Sequence, residues 1–388
     1  MALFGFLGGK KTSVGLDIGS GIIKLVVIDH GGSEPELVKV ATTEVAADAI
    51  VEGEVMDPGI VAEAIRGLFS AAGVKHRSVV TAVGGRDVIV KKIQMDRMKE
   101  ADAREVIRWE AEQHVPFDMA NVELDFQILD PDAEGLQMSV LLVAAKRELV
   151  EGRVGLLNEA GLDPAIIDVD AFAIHNAFEL NHPDAMQGVV GLVNIGHEVT
   201  NVNVLEDGVP VLTRDLSVGT RRFREDLQRE KGLSAEDAER AIQGQTHSAD
   251  LAPYVEARGE EIAVGVERAA AFLATASRSA GGLGRVYTIG GGARIPGLNE
   301  ALGSRLKVLV EVASPVQRLK VRDSVFESVE VDEVAPLLML SVGLALRRAA
   351  RSKSTSSPAR KSGRPPAPDS SSRSPISAAS SPRSRTPG

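Results

Sequence analysis

The 388-residue sequence contains no cysteine. This removes disulfides, thiolate metal sites and a cysteine nucleophile, and it gives no sign of a small, stapled, secreted fold. Long apolar runs are missing too. The most apolar late stretch, VAPLLMLSVGLAL at 334–346, falls short of the ~18–20 residues that a membrane-spanning helix needs. The opening MALFGFLGGKK puts its apolar residues ahead of its lysines, the reverse of a signal peptide, and reads as a frayed tail or a short surface contact. Basic residues are the minority: 44 Lys and Arg against 54 Asp and Glu give a formal charge of −10. That balance leaves nucleic acid out of the expected partners. What is present, 44% hydrophobic and 25% charged residues, suits a soluble globular body too long for one core.

Composition changes at residue 351. Of the last 38 residues, 13 are Ser and seven are Pro, with no aromatic side chain. Such a segment cannot offset its ordering entropy and is expected to be disordered. With eight Lys/Arg and one Asp it carries +7, so of the chain's −10 the first 350 residues carry −17. The tail reads as a solubilising extension or as a basic arm for anionic headgroups.

The body contains an internal echo. VGLDIGSGIIKLVVIDHGG at 14–32 matches VGLVNIGHEVTNVNVLEDG at 190–208, aligning Asp17 with Asn194 and Gly19 with Gly196. Both read as β-hairpins whose continuously apolar first strands belong in a sheet covered on both faces. Two copies imply two similar lobes. In the first turn, Gly19, Ser20 and Gly21 allow successive N–H groups to point at one anion. Lys24 is within reach of the same oxygens, and Asp17 is placed to hold magnesium through its water shell. A Gly-Ser turn can equally be purely structural. A third element, VYTIGGGARIP at 286–296, runs a strand into Gly290, Gly291 and Gly292. It reads as a close backbone approach to a ring or phosphate, or as a tight strand-to-helix turn.

In order and spacing these motifs resemble the phosphate 1, phosphate 2 and adenosine motifs of the actin/Hsp70-like ATPases. Four finer stretches, FGFLGGKKTSVGLDIGS, EVIRWEAEQHVPFD, the DVDAFA core at 168–173 and VPVLTRDLSVGT, resemble the PilM family, actin-like proteins of the type IV pilus inner-membrane platform. The division-protein family FtsA is the next resemblance. The implied fold is α/β: a two-lobed actin/Hsp70-like (ribonuclease H-like) ATPase with an inserted α+β 1C (SHS2-type) subdomain. The expected divisions are tails at 1–10 and 351–388, lobe I at 11–77 and 166–187, the insertion at 78–165, lobe II at 188–333, and a helix returning to lobe I at 334–350.

The resemblance implies ATP with Mg2+ in the cleft between lobes. The phosphates would meet Gly19–Gly21 and the second turn at Gly196, His197 and Glu198, with Gly219 and Gly290–Gly292 completing the site. Asp170 stands where relatives carry the residue that positions water, and Asp168 is the competing alignment; both also suit helix capping. Where the superfamily usually has Asp, this chain has Asn194. The lost charge implies binding with slow or absent hydrolysis. The implied partner is the N-terminal cytoplasmic peptide of PilN, held in a groove near the 1A and 1C subdomains, for which Trp109, Val115, Pro116 and Phe117 are candidates; they equally suit core packing of a helix end. The resemblance leaves room for other platform proteins, motor ATPases and self-association, and it implies a cytoplasmic protein peripheral at the inner membrane. The run RRFREDLQREKG at 221–232 reads as a solvated helix whose arginines could reach nucleotide. An FtsA-like filament or a phosphotransferase of the same fold are the alternatives.

Overall fold

A computed structural model describes residues 12–131, 134–246, 250–276, 282–326 and 331–347. Both expected tails lie outside the described residues.

The sequence echo is a duplicated topology. Strands β1 (Thr12–Ile18), β2 (Ile22–Asp29) and β3 (Glu36–Glu44) form an antiparallel meander. A small hairpin, β4 (Ile50–Val51) with β5 (Glu54–Val55), leads to helix α1 (Pro58–Ala71). Asp57 caps this helix by accepting from the Ile60 amide at 3.1 Å, and Pro58 takes the first position, where its missing N–H costs nothing. Strand β6 (Ser78–Val83) then returns parallel to β1. The chain continues through β7 (Val88–Asp96), α2 (Glu100–Glu112), β8 (Val122–Ile128), β9 (Gln137–Lys146) and α3 (Arg147–Glu159). It re-enters the first sheet as β10 (Asp163–Val169), parallel to β6, and crosses to the second lobe through α4 (Asp170–Asn181).

The second lobe repeats the plan. Strands β11 (Val189–Ile195), β12 (Thr200–Glu206) and β13 (Val209–Leu216) form a meander. Helices α5 (Thr220–Lys231), α6 (Ala235–Ile242) and α7 (Ala252–Ala276) follow. Strand β14 (Leu283–Ile289) pairs parallel with β11, and after α8 (Leu298–Leu306) β15 (Leu309–Val312) pairs parallel with β14. Strand β16 (Lys320–Val321) returns to the first sheet, and α9 (Val331–Val334) and α10 (Met339–Leu346) close the described body. The sheet orders, β10-β6-β1-β2-β3-β16 and β15-β14-β11-β12-β13-β7-β9-β8, share the same five-strand core order. As the apolar runs predict, β1 and β11 are buried through their centres.

Two boundaries differ from the sequence reading. Residues 78–83 belong to the first sheet, and α3 packs on α1, so the insertion as a separate layer is β7 to β9 with α2. It joins the second lobe's sheet through one pairing, Leu212 with Lys91. The stretch 163–169 is strand, and the connecting helix begins at Asp170.

Helices α4 and α10 fill the space between the sheets. Their side chains share one core with both lobes: Ile174, Phe178, Met339 and Val342 with Val26, Ile28, Val190, Leu192 and Tyr287. The approach is close. A Cβ at Gly343 would lie 1.7 Å from the Ala173 carbonyl oxygen, and one at Gly15 would lie 2.2 Å from the Ser341 oxygen. Among the described residues, no helix is long and apolar enough to cross a membrane.

Candidate functional site

The hairpin turns of the two lobes face each other. In the first, Asp17 and Lys24 are cross-strand partners, and the Lys24 ammonium donates to the Asp17 carboxylate at 2.8 Å. In the second, the Gly196 amide donates to Val199 O at 3.0 Å, and a Cβ at Gly196 would stand 2.7 Å from that oxygen. The turns nearly touch: a Cβ at Gly21 would lie 2.9 Å from the ring of His197. Burial first, then Arg224, holds the His197 imidazole below its usual range.

The start of α5 braces the second turn from behind. Thr220 N–H donates to Gly196 O at 3.0 Å and Arg221 N–H to His197 O at 2.8 Å. Gly219 makes this approach possible, because a Cβ there would meet His197 O at 2.5 Å. Gly290 has φ +82° and its N–H donates to Pro336 O; a Cβ on it would be 2.6 Å from Asn194 Oδ1. Gly292 is packed onto Ile195. These glycines are therefore required for close backbone approach, which accounts for more than a simple turn would.

Between the turns lies a cleft of about 870 Å³. It is lined by Asp17, Gly19, Ser20, Gly21, Lys24, Asp170, Asn194, Gly196, His197, Glu198, Gly290 and Gly291. Gly219 and Gly292 support its walls without lining it. Asp168 also points elsewhere: its carboxylate accepts from the Arg347 guanidinium at 2.6 and 3.2 Å. Neither aspartate caps α4, whose cap position is Val169 with no side-chain bond.

Asp170 opens α4 with its carboxyl in the cleft. Gly84, at the end of β6, makes the room: a Cβ there would stand 2.2 Å from Asp170 Oδ2. Burial first, then the Asp17 charge, pushes the Asp170 carboxyl up to about 7, against the opposing pull of Arg153. On the lobe II side, Asn194, Asn201 and Asp215 lie side by side across three strands. The Asn201 amide donates to Asp215 at 2.7 Å, and burial raises the Asp215 carboxyl. The acid missing at Asn194 thus reappears two strands away. Arg153, Asn201, Asp215 and Gln243 line the cleft without a sequence signal of their own, and Arg224 lines it as expected of an arginine in the 221–232 run. Asp215 lies within the VPVLTRDLSVGT stretch, whereas nothing in the sequence around Arg153 marks it.

Polar contacts among the lining residues bridge the two lobes. The Glu198 carboxylate accepts from the Glu52 amide and, at 2.7 Å, from Arg221, which also reaches Asp48 at 3.3 Å. The helix at 220–231 is therefore not simply solvated. Among the described residues, no group of three or more His, Cys, Asp or Glu could hold a metal by itself.

A second cleft of about 410 Å³ separates the insertion from lobe II, with Val88, Ile89, Lys91, Val115, Pro116, Leu212 and Phe272 around it. Two of the four groove candidates are here. Trp109 lies elsewhere on α2, 78% exposed, and Phe117 is half-buried with the Lys146 ammonium 5.3 Å from its ring centroid. This cleft adjoins the second lobe, whereas the sequence reading placed a groove beside the first.

The family model for type IV pilus assembly protein PilM matches residues 15–349. The chain belongs to the PilM family. A chain of a PilM–PilN type IV pilus biogenesis complex is similar over 87% of this chain and 98% of its own, at 30% identity and a TM-score of 0.76. The ethanolamine utilization protein EutJ from Carboxydothermus hydrogenoformans is similar at 20% identity and a TM-score of 0.52, covering 87% and 90% of the two chains. The fold is that of the actin-like ATPases, and the PilM match assigns the chain to type IV pilus assembly.

Proposed function

We infer that the 870 Å³ cleft binds Mg-ATP as a structural ligand, and that the chain is a nucleotide-dependent scaffold for the N-terminal peptide of PilN, cytoplasmic and peripheral at the inner membrane. The observation that carries the nucleotide reading is the pair of facing glycine turns, Gly19–Gly21 and Gly196–Glu198, opening on one cleft of ligand size. Backbone amides at such turns suit phosphate oxygens. Lys24, Arg221 and Arg224 supply positive charge around them. The residues also fit Mg2+ arriving with its phosphates: Asp17 would meet it through water, since among the described residues no group of three or more His, Cys, Asp or Glu could hold the bare ion. When bound, the metal would neutralise phosphate charge. Asp170, which lines the cleft while Asp168 is paired with Arg347, is the candidate to orient a water. With Asn194 in place of an acid, hydrolysis is expected to be slow or absent.

The peptide reading draws on the PilM–PilN relative and favours the smaller cleft. Strand β7 pairs along its length with β9 but at only one residue with β13. Most of its inner edge is therefore open to an added strand, with Val115, Pro116 and Leu212 as apolar walls.

Titration calorimetry with Mg-ATP tests the first reading. A Gly21→Val side chain fills the turn against His197, and binding is expected to weaken tenfold or more, roughly the loss of one charge-assisted contact. Unchanged affinity in the folded variant, or no binding to the natural protein, would contradict the reading.

A further inference from the structure

Arg153 sits on α3, the helix that continues directly from the last strand of the insertion. It lines the nucleotide cleft together with Asp17 and Asp170. Its Nη1 is buried with no hydrogen-bond partner. A guanidinium offers five donors, and one left unsatisfied in the interior costs stability. Other cations of this cleft are engaged: Lys24 with Asp17, Arg221 with Glu198 and Asp48, and Arg224 with Glu239. Arg153 therefore holds an unspent donor at a site built for anions.

We propose that Arg153 reads the terminal phosphate of the bound nucleoside triphosphate. This rests on the nucleotide reading above and deepens it. A nucleotide with its base toward Gly290 and Gly291 of lobe II, and its phosphates on the facing turns, sends its last phosphate toward the floor of lobe I. There Gly84 packs against Asp170, and Arg153 feels the charges of Asp170 and Asp17. The orphan Nη1 then gains an acceptor that only a triphosphate supplies, and a diphosphate ends short of it. Because α3 packs on α1 in lobe I and follows β9 of the insertion, the contact also ties the state of the nucleotide to the insertion.

The test is binding of Mg-ATP and Mg-ADP, by calorimetry, to the full chain and to its Arg153→Met and Arg153→Lys variants. The natural protein is expected to prefer ATP by roughly tenfold or more. Arg153→Met brings the ratio close to one while ADP affinity stays within about twofold, and Arg153→Lys, which keeps the charge, retains part of the preference. Equal loss for both nucleotides, or an unchanged ratio, would overturn the proposal. So would equal affinity of the natural protein for ATP and ADP, which leaves the nucleotide reading standing. No binding of either nucleotide to the natural protein would remove that reading and this proposal together. Both variants are checked by thermal melting, and the lysine variant serves if the methionine variant does not fold.

Discussion

Gly343→Val is expected to destabilise the protein by about 3 kcal/mol or more, a fall in midpoint on the order of 6 °C. The reason is the obstacle. A new Cβ would sit 1.7 Å from Ala173 O, and a backbone carbonyl in the first turn of α4 is held by the helix and cannot rotate aside. Helices α4 and α10 would have to separate, opening the core that Phe178, Ile174 and Val342 share with both sheets. The cleft would suffer too, because α4 carries Asp170 at its head. The control is Gly67 in α1, where an added Cβ meets nothing within 4 Å. Gly67→Ala should be neutral or stabilising by roughly 0.5–1 kcal/mol, the ordinary gain from removing a helical glycine. Thermal melts of both variants check the pair. Equal effects would mean that the helix crossing is not what the geometry implies.

Asp170→Asn should stabilise the ligand-free protein, and increasingly so as pH rises. The folded carboxyl titrates at about 7 instead of 3.8, so folding disfavours its ionised form. The stability it contributes is whole below pH 3.8, declines as pH rises through the interval, and is lost above about 7. The shift corresponds to about 4 kcal/mol. The gain from Asn is smaller, on the order of 3 kcal/mol at pH 8, because Arg153 loses a neighbouring negative charge. Asp17, Asp215 and Asp168 face the same carboxyl with like charge. Denaturant melts at pH 5 and pH 8 decide it: the variant's advantage grows with pH, and an advantage that shrinks or stays level contradicts the burial of Asp170.

Much of this was legible because it is local. Each hairpin and its turn glycine lie within some twenty residues, so the echo of Asp17 and Gly19 in Asn194 and Gly196 could be read directly, and the sheet orders repeat it. Sheet membership was not legible. Residues 78–83 and 88–96 are two apolar runs four residues apart, and their period cannot say that the first joins β1 while the second joins β9. Asp168 and Asp170 are two residues apart at a strand-to-helix junction. Their roles separated only when Arg347, far along the chain, took Asp168. Arg153 looked like any surface arginine on a helix, and only the tertiary packing of α3 puts it in the cleft.

The central claim is that nucleotide in the larger cleft governs a partner at the insertion. Titrating the PilN N-terminal peptide into the full chain, with and without saturating Mg-ATP, tests it most directly. The account predicts peptide binding whose affinity changes about fivefold or more with nucleotide, the scale of ordinary coupling between sites. Identical affinity in both states would contradict it.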